Sequence, residues 1–366
     1  MRYGDRRAAR GVCRRDGAPR SGILPDDGGD RARYDRAGQP LCRAAAGCNN
    51  CIVFENGEVK NSNDLDGVEI TKVNNYCLNN IYNKEYTEQE KEILKKSQFV
   101  TYVNINKSSD IKLIFESDKD YSSNVVININ DNIDANITKV SLNNKNENNL
   151  LLEVICNNNS NVKFTTIEAN ENNTNNKVNF YVLENVNIEV DTLSLNDKNV
   201  GNCTNIYLLK QFSHLTLNNA IINNTSLVQA YDFNVYHLNK DSESTLTNYA
   251  ICKDSSTLKI NSNGIIKQGC SKSKIMQKSK GIILDLTSAI SANPLLQIDE
   301  FDVEANHGAS IGAIDDEDLY YLMSRGLTKS QSEQLIVSGY MQPILSKMNE
   351  EQLQKYASFL IENKLK

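Results

Sequence analysis

The 366-residue sequence predicts a mainly β chain: a right-handed parallel β-helix, or solenoid, with a helical segment ahead of it and a helical tail behind it. From Phe99 to about Ile311, apolar residues recur at every second position in short runs, such as Val186, Ile188 and Val190, or Leu215 and Leu217. Asn, Asp, Ser and Gly separate the runs, and Asn tolerates left-handed backbone and closes Asx-turns. No helix-length segment lies between the runs, which argues against a βαβ fold. A β-sandwich remains the structural alternative, because period-two alternation suits a hairpin as well as a solenoid coil and no fixed repeat length is visible.

Residues 1–48 form a separate compositional regime. Eleven of the twelve arginines lie within the first 43 residues, in a stretch rich in Ala, Gly, Arg and Asp. Beyond it Lys replaces Arg and Asn runs recur, as an AT-rich genome would write. The first stretch has no hydrophobic period, so it cannot bury enough apolar surface to offset the entropy of ordering its backbone. It reads as a disordered, non-native-looking leader. Its six Asp residues fit poorly with a transit peptide.

Residues 49–100 read as a partly helical N-terminal region. Thr87-Glu88-Gln89-Glu90 is a capping-box pattern, in which the Thr hydroxyl and the Glu carboxylate each satisfy an orphan backbone N–H, so a helix starts there. The β-helix core spans 101–312, and residues 313–366 form the C-terminal helical domain. There Asp315 and Asp316 cap a helix through Leu319, Tyr320, Leu322 and Met323 that Gly326 ends. A second helix opens at Thr328 to Ser330, with Glu333 three residues after Ser330, and turns Leu335, Ile336, Tyr340, Ile344 and Leu345 to one side. A third runs from Asn349 to Lys364. This tail suits a bundle that caps the solenoid's end, and it suits partner docking as well.

Several function classes are disfavoured by composition. A net charge of −6 and a pI near 5.4 argue against nucleic acid as a partner, since gripping phosphates needs clustered Lys and Arg. No stretch has the run of apolar residues that crossing a bilayer requires, so no membrane partner is expected. Nine cysteines, an odd and scattered set, favour a reducing compartment over a disulfide framework. The one close pair, Cys48 and Cys51, lacks a second pair or a His-x-x-x-His at a usable distance, so it does not make a zinc site. The phosphate-loop pattern Gly-x-x-x-x-Gly-Lys-Ser/Thr is absent, so the chain is not expected to bind nucleotide itself.

The segment from His307 to Leu327, HGASIGAIDDEDLYYLMSRGL, resembles the C-terminal signature of the SufB/SufD family of the SUF iron–sulfur cluster assembly system. Asp302-Val303-Glu304-Ala305-Asn306 leads into the His as in that family. The stretch Cys270 to Ile290, followed by Asn293-Pro294-Leu295-Leu296-Gln297-Ile298, resembles its last β-helix turns. The resemblance covers about the last third of the chain, and between Phe99 and Ser255 only the strand texture agrees. In SufB a Glu follows the signature His and a cysteine lies in the loop upstream. Here Gly308 follows His307 and Asp285-Leu286-Thr287-Ser288-Ala289 holds no cysteine, so the resemblance is to the SufD side.

The resemblance implies a non-enzymatic scaffold: a β-helix that pairs edge to edge with a SufB-like scaffold, with C-terminal helices that dock a SufC-like ATPase. A homodimer is the expected state in the absence of SufB. The implied cofactor is an iron–sulfur cluster or iron, transient and shared with SufB, with His307 as the donor from this chain. The implied docking residues are Leu319, Tyr320, Tyr321 and Arg325. The implied compartment is a plastid-type, apicoplast-like organelle if the AT-rich reading points to such a eukaryote, and the cytoplasm otherwise.

Each of these residues also has a plainer reading. A lone His at a strand end is ordinarily structural, since one ligand does not make a metal site. His214 and His237 sit in strand-like runs and read as structural. Gly308, Gly312 and Gly326 read as turn and cap residues, and Arg325 as the cation that complements the carbonyl end of a helix dipole. Tyr320 and Tyr321 point about 100° apart on a helix, so they cannot both face one core. The rival functions are a β-helical carbohydrate-active enzyme and a secreted adhesin. The sole arginine beyond the leader lies in the tail instead of the solenoid wall, and the scattered cysteines sit badly with secretion.

Overall fold

The computed structural model describes residues 50–365 apart from 63–64, 75–84, 98, 143–145, 225 and 349. The expected leader 1–48 and Cys13, Cys42, Cys48 and Cys77 therefore lie outside the described residues.

A hairpin, β1 (Cys51–Glu55) and β2 (Glu58–Ser62), and a single strand, β3 (Val68–Val73), precede helix α1 (Glu88–Lys96). Sixteen strands follow in unbroken succession. The even ones are β4 (Val100–Ile105), β6 (Tyr121–Ile129), β8 (Asn148–Cys156), β10 (Lys177–Val182), β12 (Val200–Leu208), β14 (Val228–His237), β16 (Thr257–Ile266) and β18 (Ala289–Ile298). The odd ones are β5 (Ser109–Glu116), β7 (Asp134–Leu142), β9 (Asn161–Ala169), β11 (Asn187–Ser194), β13 (His214–Asn223), β15 (Glu243–Cys252), β17 (Ser273–Ile283) and β19 (Val303–Ala313). Helices α2 (Asp316–Ser324), α3 (Lys329–Leu345) and α4 (Glu351–Leu365) complete the described chain.

Consecutive strands alternate between two sheets, and each pairs in parallel with the strand two places on. The fold is a parallel β-solenoid, so the sandwich alternative falls. Val100 lies beside Asn124, Lys177 beside Cys203, Val228 beside Thr257, and Thr257 beside Ala289, so successive coils take 24, 26, 29 and 32 residues. Inward residues such as Phe164, Val190, Leu217 and Leu246 stack along the axis and fill one continuous core.

The Asn content follows from the turns. Asn132, Asn159 and Asn185 occupy the same corner of successive coils at φ 62°, 59° and 55°, where Asn costs less than other non-glycine residues. Their side chains also stack: Asn159 Nδ2 donates to Asn132 Oδ1 at 3.2 Å and Asn185 Nδ2 to Asn159 Oδ1 at 2.9 Å. A second ladder, Asn179, Asn205, Asn234 and Asn263, runs along the even sheet with bonds of 2.6 to 2.9 Å.

Helix α1 begins at the expected box: Glu90 N donates to Thr87 Oγ1 and Thr87 N to Glu90 Oε2. It covers the outer face of the even sheet, where Tyr86 and Tyr181 both donate to the buried Glu153 carboxylate. The described residues ahead of Val100 also form strands. β1 adds in parallel to β5 and β3 adds antiparallel to β4, because the run Cys51–Phe54 is apolar at every position and needs burial on both faces.

The tail departs from expectation in three ways. The box of α3 is Thr328 with Gln331, not Ser330 with Glu333. The buried residues of α3 are Ser332, Val337, Met341, Ile344 and Leu345, while Leu335 is exposed. α4 begins at Glu351. Finally, α3 and α4 do not close the solenoid's end but lie along the outer face of the odd sheet. There Ile167, Leu193 and Ala220 are buried, and Lys347 pairs with Glu189, Lys112 with Glu350 and Lys364 with Asp197. Among the described residues no helix is long and apolar enough to cross a membrane.

Candidate functional site

The solenoid's two ends differ. The N-terminal end carries the antiparallel strands β2 and β3, whose exposed lysines Lys60 and Lys72 pair with Glu55 and Glu58, a pattern that discourages further strand addition. At the other end β18 and β19 each pair on one side only. Inward residues there, Ile290, Leu296, Ile298, Val303 and Ala305, pack on the core yet stay only partly buried. Leu286 and Phe301, at the turns of this last coil, are fully exposed. Pro294, which lacks an N–H, is admissible here because β18 is an edge strand.

His307 lies on β19, exposed, directly beside Gln277 of β17. Register assigns it to the inward column Phe164, Val190, Leu217, Leu246, Gln277, His307, which is apolar until its last two rungs. Gly308 and Gly312 are strand residues of β19 and not turn residues; a Cβ at either would meet nothing within 4 Å, because no further coil lies against them. Gly326, at φ 95°, does end α2.

Asp315 caps α2 by accepting from Glu317 N at 2.9 Å, and Asp316, Glu317 and Asp318 place negative charge in the first turn, where the dipole favours it. No residue of α2 is buried. Tyr320 and Tyr321 are 76% and 57% exposed, so both are available, and Leu319 is half-buried. The Arg325 guanidinium sits 5.2 Å from the Tyr321 ring centre, a cation–π contact, at the C-cap. Met323 of the same helix and Leu335 of α3 are exposed as well.

Other donor groups are less suited to ligation. Burial pushes the thiols of Cys156, Cys203, Cys252 and Cys270 up, Cys252 to about 11, so they stay protonated and poor as ligands near neutrality. His237 is fully buried between Ser242 Oγ at 2.7 Å and Ser244 Oγ at 2.8 Å, and burial pushes it down to about 4. His214 is exposed, 3.5 Å from Glu243 Oε2. Asp285 is held well below the usual carboxylate range, chiefly by the Thr287 hydroxyl and then by the Ser288 hydroxyl and the Thr287 and Asp254 N–H groups, which fixes the loop under Leu286. Among the described residues no three His, Cys, Asp or Glu side chains gather to hold a metal ion. His307 is thus a single donor on an open edge.

Residues 100–340 match the family model for the SufBD core domain of SUF-system FeS cluster assembly. The chain belongs to the SufBD family. It is SufD-like: the iron–sulfur cluster assembly protein SufD of Bacillus subtilis is 38% identical over 132 residues, 36% of this chain and 30% of that protein. SufD of Escherichia coli is 28% identical over 95 residues, covering 25% and 22% of the two chains. SufD of Plasmodium falciparum is 30% identical over 93 residues, 25% of this chain and 6% of that protein. The matched stretch therefore spans less than a third of each of these relatives. Within this SufBD-family chain, the family match takes in the strands from β4 onward, the open end with His307, α2 and most of α3. The sequence signature drew attention to His307 but not to Gln277. The signal for the latter was present, since Lys274, Lys278 and Lys280 fix the outward face of β17 and turn Gln277 inward.

Proposed function

We propose that this chain is a non-enzymatic, SufD-like scaffold subunit that supports iron–sulfur cluster assembly by joining its open solenoid end to a SufB-like solenoid. The observation that carries this reading is the uncapped pair of edge strands β18 and β19 with His307 among their inward residues. Half-buried core residues and unpaired backbone groups at one end are what strand addition by a partner covers. His307 then supplies one imidazole donor to iron or a nascent cluster, the cargo, and the partner supplies the remaining ligands. An imidazole suits iron, and its second nitrogen remains for an orienting hydrogen bond.

The α2 patch is the proposed dock for a SufC-like ATPase, which supplies the nucleotide chemistry. Exposed Tyr and Arg side chains are the residue types that anchor interfaces. In the absence of the SufB-like partner, two copies of this chain pair through the same end. The Plasmodium relatives and the Lys- and Asn-rich composition favour a plastid-type compartment, which a reporter fusion co-imaged with a plastid marker tests.

The decisive experiment for the scaffold is co-expression with SufB-like and SufC-like chains, followed by size-exclusion chromatography. A stable three-protein complex is expected. Introducing a Lys at both Ala305 and Ile298 should release the SufB-like chain while retaining the ATPase. Persistence of the full complex in that variant would sink the pairing through this end.

A further inference from the structure

Gln277 is 1% exposed, yet its Oε1 has no hydrogen-bond partner among the described residues. Buried amide oxygens are almost always paired, so an orphan is either a cost without return or an acceptor waiting for a donor. The site is shaped around this amide. On the facing sheet, Gly264 leaves it room: a Cβ there would come within 2.8 Å of Gln277 Nε2 and 2.3 Å of Ile275 Cδ1. Nε2 reaches Leu295 O at 3.5 Å, the limit of a hydrogen bond.

The neighbours narrow the choice of donor. Leu246, one rung behind, has no polar atom on its side chain. Ser279, two residues along the same face, accepts from Asn248 Nδ2 at 3.1 Å and stacks in the neighbouring column Asn248, Ser279, Ala309. One rung ahead, in register and on the same inward side, is His307. Its imidazole is the adjacent side chain of the column that carries an N–H to donate.

We propose that Gln277 is a positioning residue for His307. The two are register neighbours without a hydrogen bond in the structure; a turn of the exposed His307 ring brings one N–H to Gln277 Oε1, which fixes the tautomer and leaves the other nitrogen's lone pair facing the open end. This rests on the reading of His307 as a donor to iron or cluster, and it adds the partner that orients the ring, as ligating imidazoles usually require.

The test uses the full chain, whose three histidines give three resolvable ring-nitrogen signal sets by NMR, with His307→Ala identifying the set that belongs to His307. In the unsubstituted protein one neutral tautomer of His307 should dominate. Gln277→Leu, similar in size but without the acceptor, should move the tautomer ratio by a factor of about 5 towards that of a free imidazole. Gln277→Met is the second apolar variant, should Leu fail to pack beside Gly264. Gln277→Asn, one methylene too short, should give the same relaxation. An identical His307 tautomer ratio in the unsubstituted protein and in the folded apolar variant overturns the proposal. Its failure is distinct from failure of the scaffold reading. A His307→Ala complex that keeps its iron removes the donor role and leaves the ring measurement untouched, whereas an unchanged ratio removes Gln277 and leaves the donor role open to its own test.

Discussion

Inside the solenoid the Lys139 ammonium lies 2.6 Å from Glu168 Oε1, with the two side chains 1% and 5% exposed. Asn202 Nδ2 donates to the other carboxylate oxygen at 3.0 Å. Taking two charges out of water costs several kcal/mol per ion, and only close geometry with extra hydrogen bonds offsets it. The pair therefore adds little net stability but cannot lose one member. Glu168→Leu should destabilise the chain by about 3 to 5 kcal/mol, because Lys139 is left buried and uncompensated. Lys139→Met combined with Glu168→Leu should recover most of that loss. Denaturant unfolding of the three variants checks both, and a double variant as weak as the single one would contradict the account.

Acid should weaken the fold through His237. Burial holds it at about 4 in the folded chain, below the ordinary value of 6.5, so the folded state binds fewer protons than the unfolded one. Its contribution is fully present above pH 6.5 and is lost as pH falls from 6.5 towards 4. Between pH 6.5 and 5 that loss amounts to about 2 kcal/mol. The matched measurement is the pH dependence of the melting temperature over this window for the unsubstituted chain and for His237→Asn, which does not titrate. The variant should be less stable at pH 7.5 but flat across the window. An equal slope in both would assign the acid sensitivity elsewhere.

What was legible in the sequence was local. The Thr87 box, the Asp315 cap and the Gly326 stop are short-range devices, and each appears where its residues dictate. The Asn-rich turns were legible for the same reason, since a left-handed corner selects Asn one residue at a time. The repeat was not. Coils lengthen from 24 to 32 residues along the axis, so no fixed period survives. Alternation also fades where α3 lies on the odd sheet, because Ile167, Leu193 and Ala220 are buried on the outer face while Phe164, Val190 and Leu217 fill the inner one. The start of α3 was ambiguous because Thr328-x-x-Gln331 and Ser330-x-x-Glu333 are both capping boxes on paper, and the course of the tail was missed because it rests on long-range pairs such as Lys347 with Glu189 and Lys364 with Asp197. At the candidate site, His307 was legible through its signature, but its inward column and its neighbour Gln277 required the register.

The α2 patch should act in binding without acting in folding. Tyr320, 76% exposed, and Tyr321, 57% exposed, lie on a helix with no buried residue. Tyr320→Ala and Tyr321→Ala should therefore leave the melting temperature unchanged. If the patch docks the ATPase, one or both should weaken that binding by about 1 kcal/mol or more. Arg325→Ala should compound the Tyr321 effect less than additively, since the two side chains touch. Calorimetric titration with the SufC-like chain reads all three, and unchanged affinity throughout would exclude this surface.

His307 separates function from folding because it is exposed. A buried structural histidine would leave partners unsatisfied on removal and cost roughly 1 to 3 kcal/mol, as expected for His237 with its two serine partners. His307 stands on a terminal strand with its coil unpaired beyond it, so His307→Ala should fold, losing no more than its one bond to Gln277, and enter the same complex with the SufB-like and SufC-like partners. If His307 donates to the cargo, iron and acid-labile sulfide per complex should nevertheless fall sharply. Unchanged iron and sulfide in a well-folded His307→Ala complex would rule out the donor role. Joint loss of complex and cluster would instead mean that the side chain contributes to packing across the joint. Gln277→Leu adds a graded version of the same measurement. It keeps the imidazole but frees its orientation, so cluster content should fall part of the way, by less than in His307→Ala and with complex yield intact.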